Sequence, residues 1–182
     1  MIILTLSIVG YLYCTIKKRQ CLHNHCNFFG KYYMAISLKF QQRFKELIDE
    51  CDLENRTDLV EQIGINYATY TKAYIYGIVP KVKKLMTIAD FFKVSIEYLL
   101  GINDIEDFEK SKNPQNFSER LQLLLSENNL NIYTFAKNIH IHRNNVTQWI
   151  KFDYIPLLDD LITVADYFKV SLDYLVGRTD YK

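Results

Sequence analysis

Apolar residues along this chain recur at helical spacing. Phe40, Phe44, Leu47, Ile48 and Cys51 follow a three-to-four-residue rhythm that puts them on one face of a helix. After a turn at Asp52 to Arg56, Leu59, Val60 and Ile63 predict a second, short helix that stops at Gly64, a residue suited to a left-handed cap. Asn66 suits the N-cap of a third helix from Tyr67 to about Tyr76. Pro80 breaks the chain before a fourth helix carrying Val82, Leu85, Met86, Ala89 and Phe92, and Ser95 caps a fifth that ends at Gly101. The plan then repeats. Phe117, Leu121, Leu124 and Leu125 form a first stripe, Asn131 caps a helix with Phe135, Ala136 and Ile139, and His142 precedes a helix from Arg143 to Ile150. Pro156 precedes a fourth helix with Leu158, Leu161, Ile162, Val164, Ala165 and Phe168, and Ser171 caps the fifth. No segment has the two-residue alternation of a strand, so the expected fold class is all-α.

The repetition extends to residue identity. Thr87 to Asp104 reads T-I-A-D-F-F-K-V-S-I-E-Y-L-L-G-I-N-D, and Thr163 to Asp180 reads T-V-A-D-Y-F-K-V-S-L-D-Y-L-V-G-R-T-D, at an offset of 76 residues. Such a repeat, with its own Gly stop, marks a small domain present twice. The expected division is an extension over residues 1–36, a first domain over 38–104, an acidic, polar linker over 105–116 and a second domain over 117–182.

Net charge adds little until it is divided along the chain. The total is +1, but residues 1–39 contribute +5 and the remainder −4. Between Glu61 and Asp90 the only charged residues are Lys72, Lys81, Lys83 and Lys84; between Glu127 and Asp153 they are Lys137, Arg143 and Lys151. Each copy thus has an acid-free, basic middle between acidic ends, a polarity suited to an anionic surface. The four cysteines, Cys14, Cys21, Cys26 and Cys51, form no disulfide framework, and a cytoplasmic setting is expected.

Met1 to Ile16 is apolar and is followed by Lys17, Lys18 and Arg19. As a helix it would span about 24 Å, short for a hydrocarbon core of about 30 Å, and it lacks the layout of a secretory signal. Residues 1–33 therefore read as a dispensable upstream extension, with membrane association as the alternative should residues 1–16 insert; Met34 looks like a natural start. Cys21, His23, His25 and Cys26 are metal-ligand types too crowded for the paired spacing of a zinc site. No metal, cofactor or catalytic centre is expected, because Gly-rich phosphate loops, H-E-x-x-H and nucleophile elbows are missing from the sequence.

The segment Leu130 to Ile141, then H-R-N-N-V-T-Q-W from His142 to Trp149, Ile155-Pro156 and V-S-L-D-Y-L-V-G-R-T-D from Val170 to Asp180 resembles a Cro/repressor-type helix-turn-helix domain of the Xre family. The first copy resembles the same family through Leu59-Val60, Ile63-Gly64-Ile65, Val79-Pro80 and Val94 to Gly101. The resemblance implies two tandem five-helix, lambda-repressor-like domains that bind double-stranded DNA in the major groove. It implies base reading from the first, second and sixth residues of the third helix: Arg143, Asn144 and Gln148 in the second copy, Tyr67, Ala68 and Lys72 in the first. Arg can bond guanine and Asn or Gln can bond adenine through two hydrogen bonds, which makes the second copy the better reader. Asn145, Thr147 and Lys151, with Thr69 and Thr71, are the expected phosphate contacts. Val146 and Trp149 should face the core, as should Tyr70 and Tyr74. The implied function is a sequence-specific transcriptional regulator, with a homodimer joined through the first copies as one arrangement. The competing expectation is a protein-interaction or dimerisation module that keeps the fold without DNA affinity.

Overall fold

A computed structural model describes residues 25–51, 55–106 and 108–182, with side chains from Met34 onward. The apolar run over 1–16 and the Cys21 and His23 pair lie outside these residues, as do the side chains of His25 and Cys26. The described residues form helices and no strand. In order these are α1 (His25–Asp49), α2 (Arg56–Ile63), α3 (Tyr67–Tyr76), α4 (Val82–Phe92) and α5 (Ile96–Leu99), then α6 (Phe117–Glu127), α7 (Ile132–Asn138), α8 (Arg143–Phe152), α9 (Leu158–Phe168) and α10 (Leu172–Leu175). Among them no helix is long and apolar enough to cross a membrane.

Local chemistry accounts for most of these boundaries. Asn66 Oδ1 accepts the Thr69 N–H at 2.7 Å and Asn131 Oδ1 that of Thr134 at 2.9 Å, so α3 and α7 begin on side-chain caps. Ser95 and Ser171 do the same for α5 and α10. Left-handed residues recur at the repeat offset: Gly64 and His140, Gly77 and Asp153, Lys93 and Lys169, Gly101 and Gly177. The two copies therefore share backbone turns even where the side chain differs.

The first helix departs from expectation. The apolar stripe places its start near Phe40, whereas α1 is continuous from His25. Ile36 is buried on the same face as Phe40 and Phe44, one turn earlier. Ser37 Oγ donates to the Gly77 carbonyl at 2.5 Å and Lys39 Nζ to that of Gly101 at 3.0 Å, so this turn closes over the ends of α3 and α5.

Each copy packs its own helices around an apolar centre. Phe40, Phe44, Leu59, Tyr70 and Leu85 fill the first; Phe117, Leu121, Phe135, Val146 and Leu161 fill the second. These belong to one continuous cluster, because the repeated tails meet. α5 packs on α10. Glu97 Oε1 accepts the Leu172 N–H at 2.5 Å, and Asp173 Oδ2 accepts the Ile96 N–H at 2.7 Å. Glu97 corresponds to Asp173 and Ile96 to Leu172, so the two bonds are one bond made in both directions. That reciprocity is the signature of a two-fold relation between the copies.

Arg178 seals this seam. It bonds Asp173 within its own copy, and across the seam it bonds the Asp90 carboxylate at 3.0 Å and the Val94 carbonyl at 3.1 Å. Its guanidinium also lies 4.2 Å from the Phe108 ring centroid. The polar connector is accordingly docked over residues 108–115. Ser111 N donates to the Arg178 carbonyl, Ser111 Oγ and Lys112 N donate to Asp180, and the Gln115 backbone runs against Gly177.

Candidate nucleic-acid interface

In the second copy α7 and α8 pack on each other, joined through residues 139–142. His140 takes a left-handed turn (φ 55°), and His142 Nδ1 accepts the Asn144 N–H at 3.3 Å at the start of α8. Val146 and Trp149, three residues apart on one face, are buried. The indole meets Phe117 edge-on, with ring centroids 6.1 Å apart. Ser118 on α6 donates from Oγ to the Ile150 carbonyl at 2.8 Å, which fixes the far end of α8.

The opposite face of α8 carries Arg143, Asn144, Asn145, Gln148 and Lys151, all exposed. Among the described residues the side chains of Arg143, Asn144, Asn145 and Gln148 have no hydrogen-bond or ion-pair partner. Thr147 is half-buried and its hydroxyl bonds back to the Arg143 carbonyl at 3.0 Å. The nearest carboxylate along the chain, Asp153, accepts the Ser118 N–H at 3.3 Å. The face thus combines two cations with a row of amides on a helix whose other side is locked into the core.

The equivalent helix in the first copy, α3, presents a different surface. Tyr67, Ala68 and Lys72 are exposed, whereas Thr69 and Thr71 are half-buried. Thr69 supplies its N–H to the Asn66 cap, and the Thr71 hydroxyl returns to the Tyr67 carbonyl at 2.9 Å. Tyr70 is buried, and Tyr74 is half-buried, with Lys45 and Arg56 both close to its ring. Gln41 holds the end of α3 through the Tyr74 and Ile75 carbonyls, the role Ser118 plays for α8. Of Lys81, Lys83 and Lys84 at the start of α4, Lys84 is engaged with the Gly64 carbonyl at 3.0 Å.

No family model, curated protein or solved structure matches the chain.

The residues that join the copies stand out only in the structure. Glu97 is held well above the usual carboxylate range, at about 7, by burial at the seam and by the facing Asp173 carboxyl. Burial also raises Asp173, against the opposing pull of Arg178. A second repeated group was equally hidden. Arg43 stacks over the Tyr98 ring at 4.4 Å and pairs with Asp104 at 2.6 Å; Arg120 stacks over Tyr174 at 4.4 Å and pairs with Asp180 at 2.7 Å. Each trio ties the first helix of a copy to its tail. The signal available in sequence was the recurrence of Tyr and Asp at fixed places in both tails.

Proposed function

We propose that this chain is a sequence-specific, DNA-binding transcriptional regulator built from two helix-turn-helix domains of the Xre type, with α8 as the principal reading helix. The observation that carries the reading is the exposed, unpartnered set Arg143, Asn144 and Gln148 on a short helix anchored by Val146, Trp149 and Ser118. A helix held this way enters a major groove about 12 Å wide as a rigid body, and its first turns meet the base edges. Arg143 then bonds the O6 and N7 of a guanine, and Asn144 and Gln148 suit adenine. Asn145, Thr147 and Lys151 flank them toward the phosphates.

The first domain contributes mainly charge. Lys72 with Lys81 and Lys83 favours a phosphate backbone, and Ala68 offers no hydrogen bond, so the base preference of α3 is the weaker of the two. Thr69 and Thr71 support α3 more than they reach outward. A second reading, that the first domain docks another protein, draws on the exposed Ile75, Tyr76 and Ile78 at the end of α3.

Electrophoretic titration of the full chain against selected duplex DNA separates the readings. Arg143→Ala and Gln148→Ala each weaken binding to the preferred sequence by about 1–3 kcal/mol and relax the preference at one position. Lys72→Ala weakens all sequences alike and lowers the salt dependence by about one unit of slope. Equal binding by Arg143→Ala and the parent chain to every sequence overturns the assignment.

A further inference from the structure

The seam between the copies bears on how DNA would be engaged. Two successive domains can be related by translation, which joins unlike patches, or by a two-fold rotation, which joins like patches. The reciprocal bonds Glu97 to Leu172 and Asp173 to Ile96 join like patches. In each copy the first helix packs on the third and the fifth, α1 on α3 and α5 and α6 on α8 and α10, so the rotation that exchanges α5 with α10 also exchanges α3 with α8. Arg178 and Asp173 are almost wholly buried at the seam, with 4% and 3% of their side chains exposed. The docked segment holding Ser111 and Gln115 makes the pairing intramolecular, so it does not depend on protein concentration.

Building on the DNA-reading role assigned to α8 above, we propose that the chain acts on DNA as its own dimer: one molecule reads two unlike half-sites in inverted orientation at a single fixed spacing, α8 on one and α3 on the other. A two-fold pair of reading helices meets half-sites of opposite orientation, about one helical turn or a multiple of it apart. The α8 half-site carries the base preference. The α3 half-site, facing Lys72 and Tyr67, carries the weaker preference.

The test uses the full chain and duplexes built on the sequence it selects from a random pool. In one duplex the weaker half-site is inverted relative to the stronger; in a second it is a direct repeat; in a third the inverted pair is separated by about half a turn more. Sedimentation with labelled DNA counts chains per duplex. One chain per duplex is expected, with the direct and the half-turn-shifted duplexes bound about tenfold more weakly than the inverted one. Lys72→Ala is expected to lower affinity for the inverted duplex. Two chains per duplex, or equal affinity for the direct and inverted arrangements, overturns the self-paired arrangement while leaving DNA reading intact. Binding without any sequence selection overturns the DNA-reading role and this arrangement together.

Discussion

Glu97 and Asp173 occupy the same place in the two copies, and each accepts a backbone N–H from the first residue of the other's final helix. The duplicated tail is therefore more than a support for the packing within each copy. It is also the surface through which the copies meet, and the near identity of the two tails allows one patch to face its counterpart.

The pair makes stability depend on pH. Glu97 is raised to about 7 from an ordinary value of 4.5, so in this range the folded chain holds a proton that the unfolded chain has released. The stabilisation is fully present below the unfolded value and is lost as pH rises through the folded one. Unfolding free energy should fall by up to about 1.4 kcal/mol per pH unit between these limits. Glu97→Gln, which keeps an acceptor for Leu172 N–H and carries no titrating proton, should flatten the decline in urea melts across that window. An unchanged slope contradicts the assignment.

Arg178 is the charge that balances this seam. Arg178→Ala leaves Asp173 buried without its ion pair and should cost about 3–5 kcal/mol in urea unfolding. Arg43→Ala, whose partner Asp104 is largely in solvent, should cost far less, about 1 kcal/mol beyond its lost packing on Tyr98.

Two glycines with similar backbone angles should respond differently to alanine. Gly64 has φ 78°, and an added Cβ meets only the Thr87 methyl at 3.5 Å, so Gly64→Ala should cost about 1 kcal/mol for the left-handed backbone alone. Gly177 has φ 74°, and there the Cβ would lie 1.7 Å from the Gln115 carbonyl oxygen. Gly177→Ala must also push the docked segment away, and its thermal midpoint should drop well below that of Gly64→Ala.

The two faces of α8 should separate stability from binding. Trp149→Ala empties the contact with Phe117 and should cost about 3–5 kcal/mol. Gln148→Ala, on the exposed face, should leave unfolding within about 0.5 kcal/mol of the parent while weakening DNA binding.

Helix positions were legible where one residue carries the physics. Asn66, Asn131, Ser95 and Ser171 announce N-caps, and Gly64 announces a stop, because their side chains or backbone freedom act within a turn. The burial of Val146, Trp149 and Tyr70 followed from helical spacing in the same way. The upstream part of α1 was less visible, although Ile36 continues the Phe40 and Phe44 stripe by one turn. The seam left only one trace in the sequence. Glu97 and Asp173 look like ordinary acids in a first helical turn, where they complement the macrodipole, and nothing local says that each reaches the opposite helix. The change from Ile102 to Arg178 was the clue, since it is the least conservative difference between otherwise matched tails. Polar composition likewise marks residues 105–116 as a connector without revealing that Ser111 and Gln115 are anchored.

Selection of duplex DNA from a random pool by the full chain, followed by binding of Arg143→Ala to the recovered sequence, tests the central claim most directly. The expected result is a recovered sequence with a guanine whose replacement weakens the parent chain by about 1–3 kcal/mol and no longer matters to Arg143→Ala. Recovery of no preferred sequence, at any salt concentration that permits binding, contradicts it.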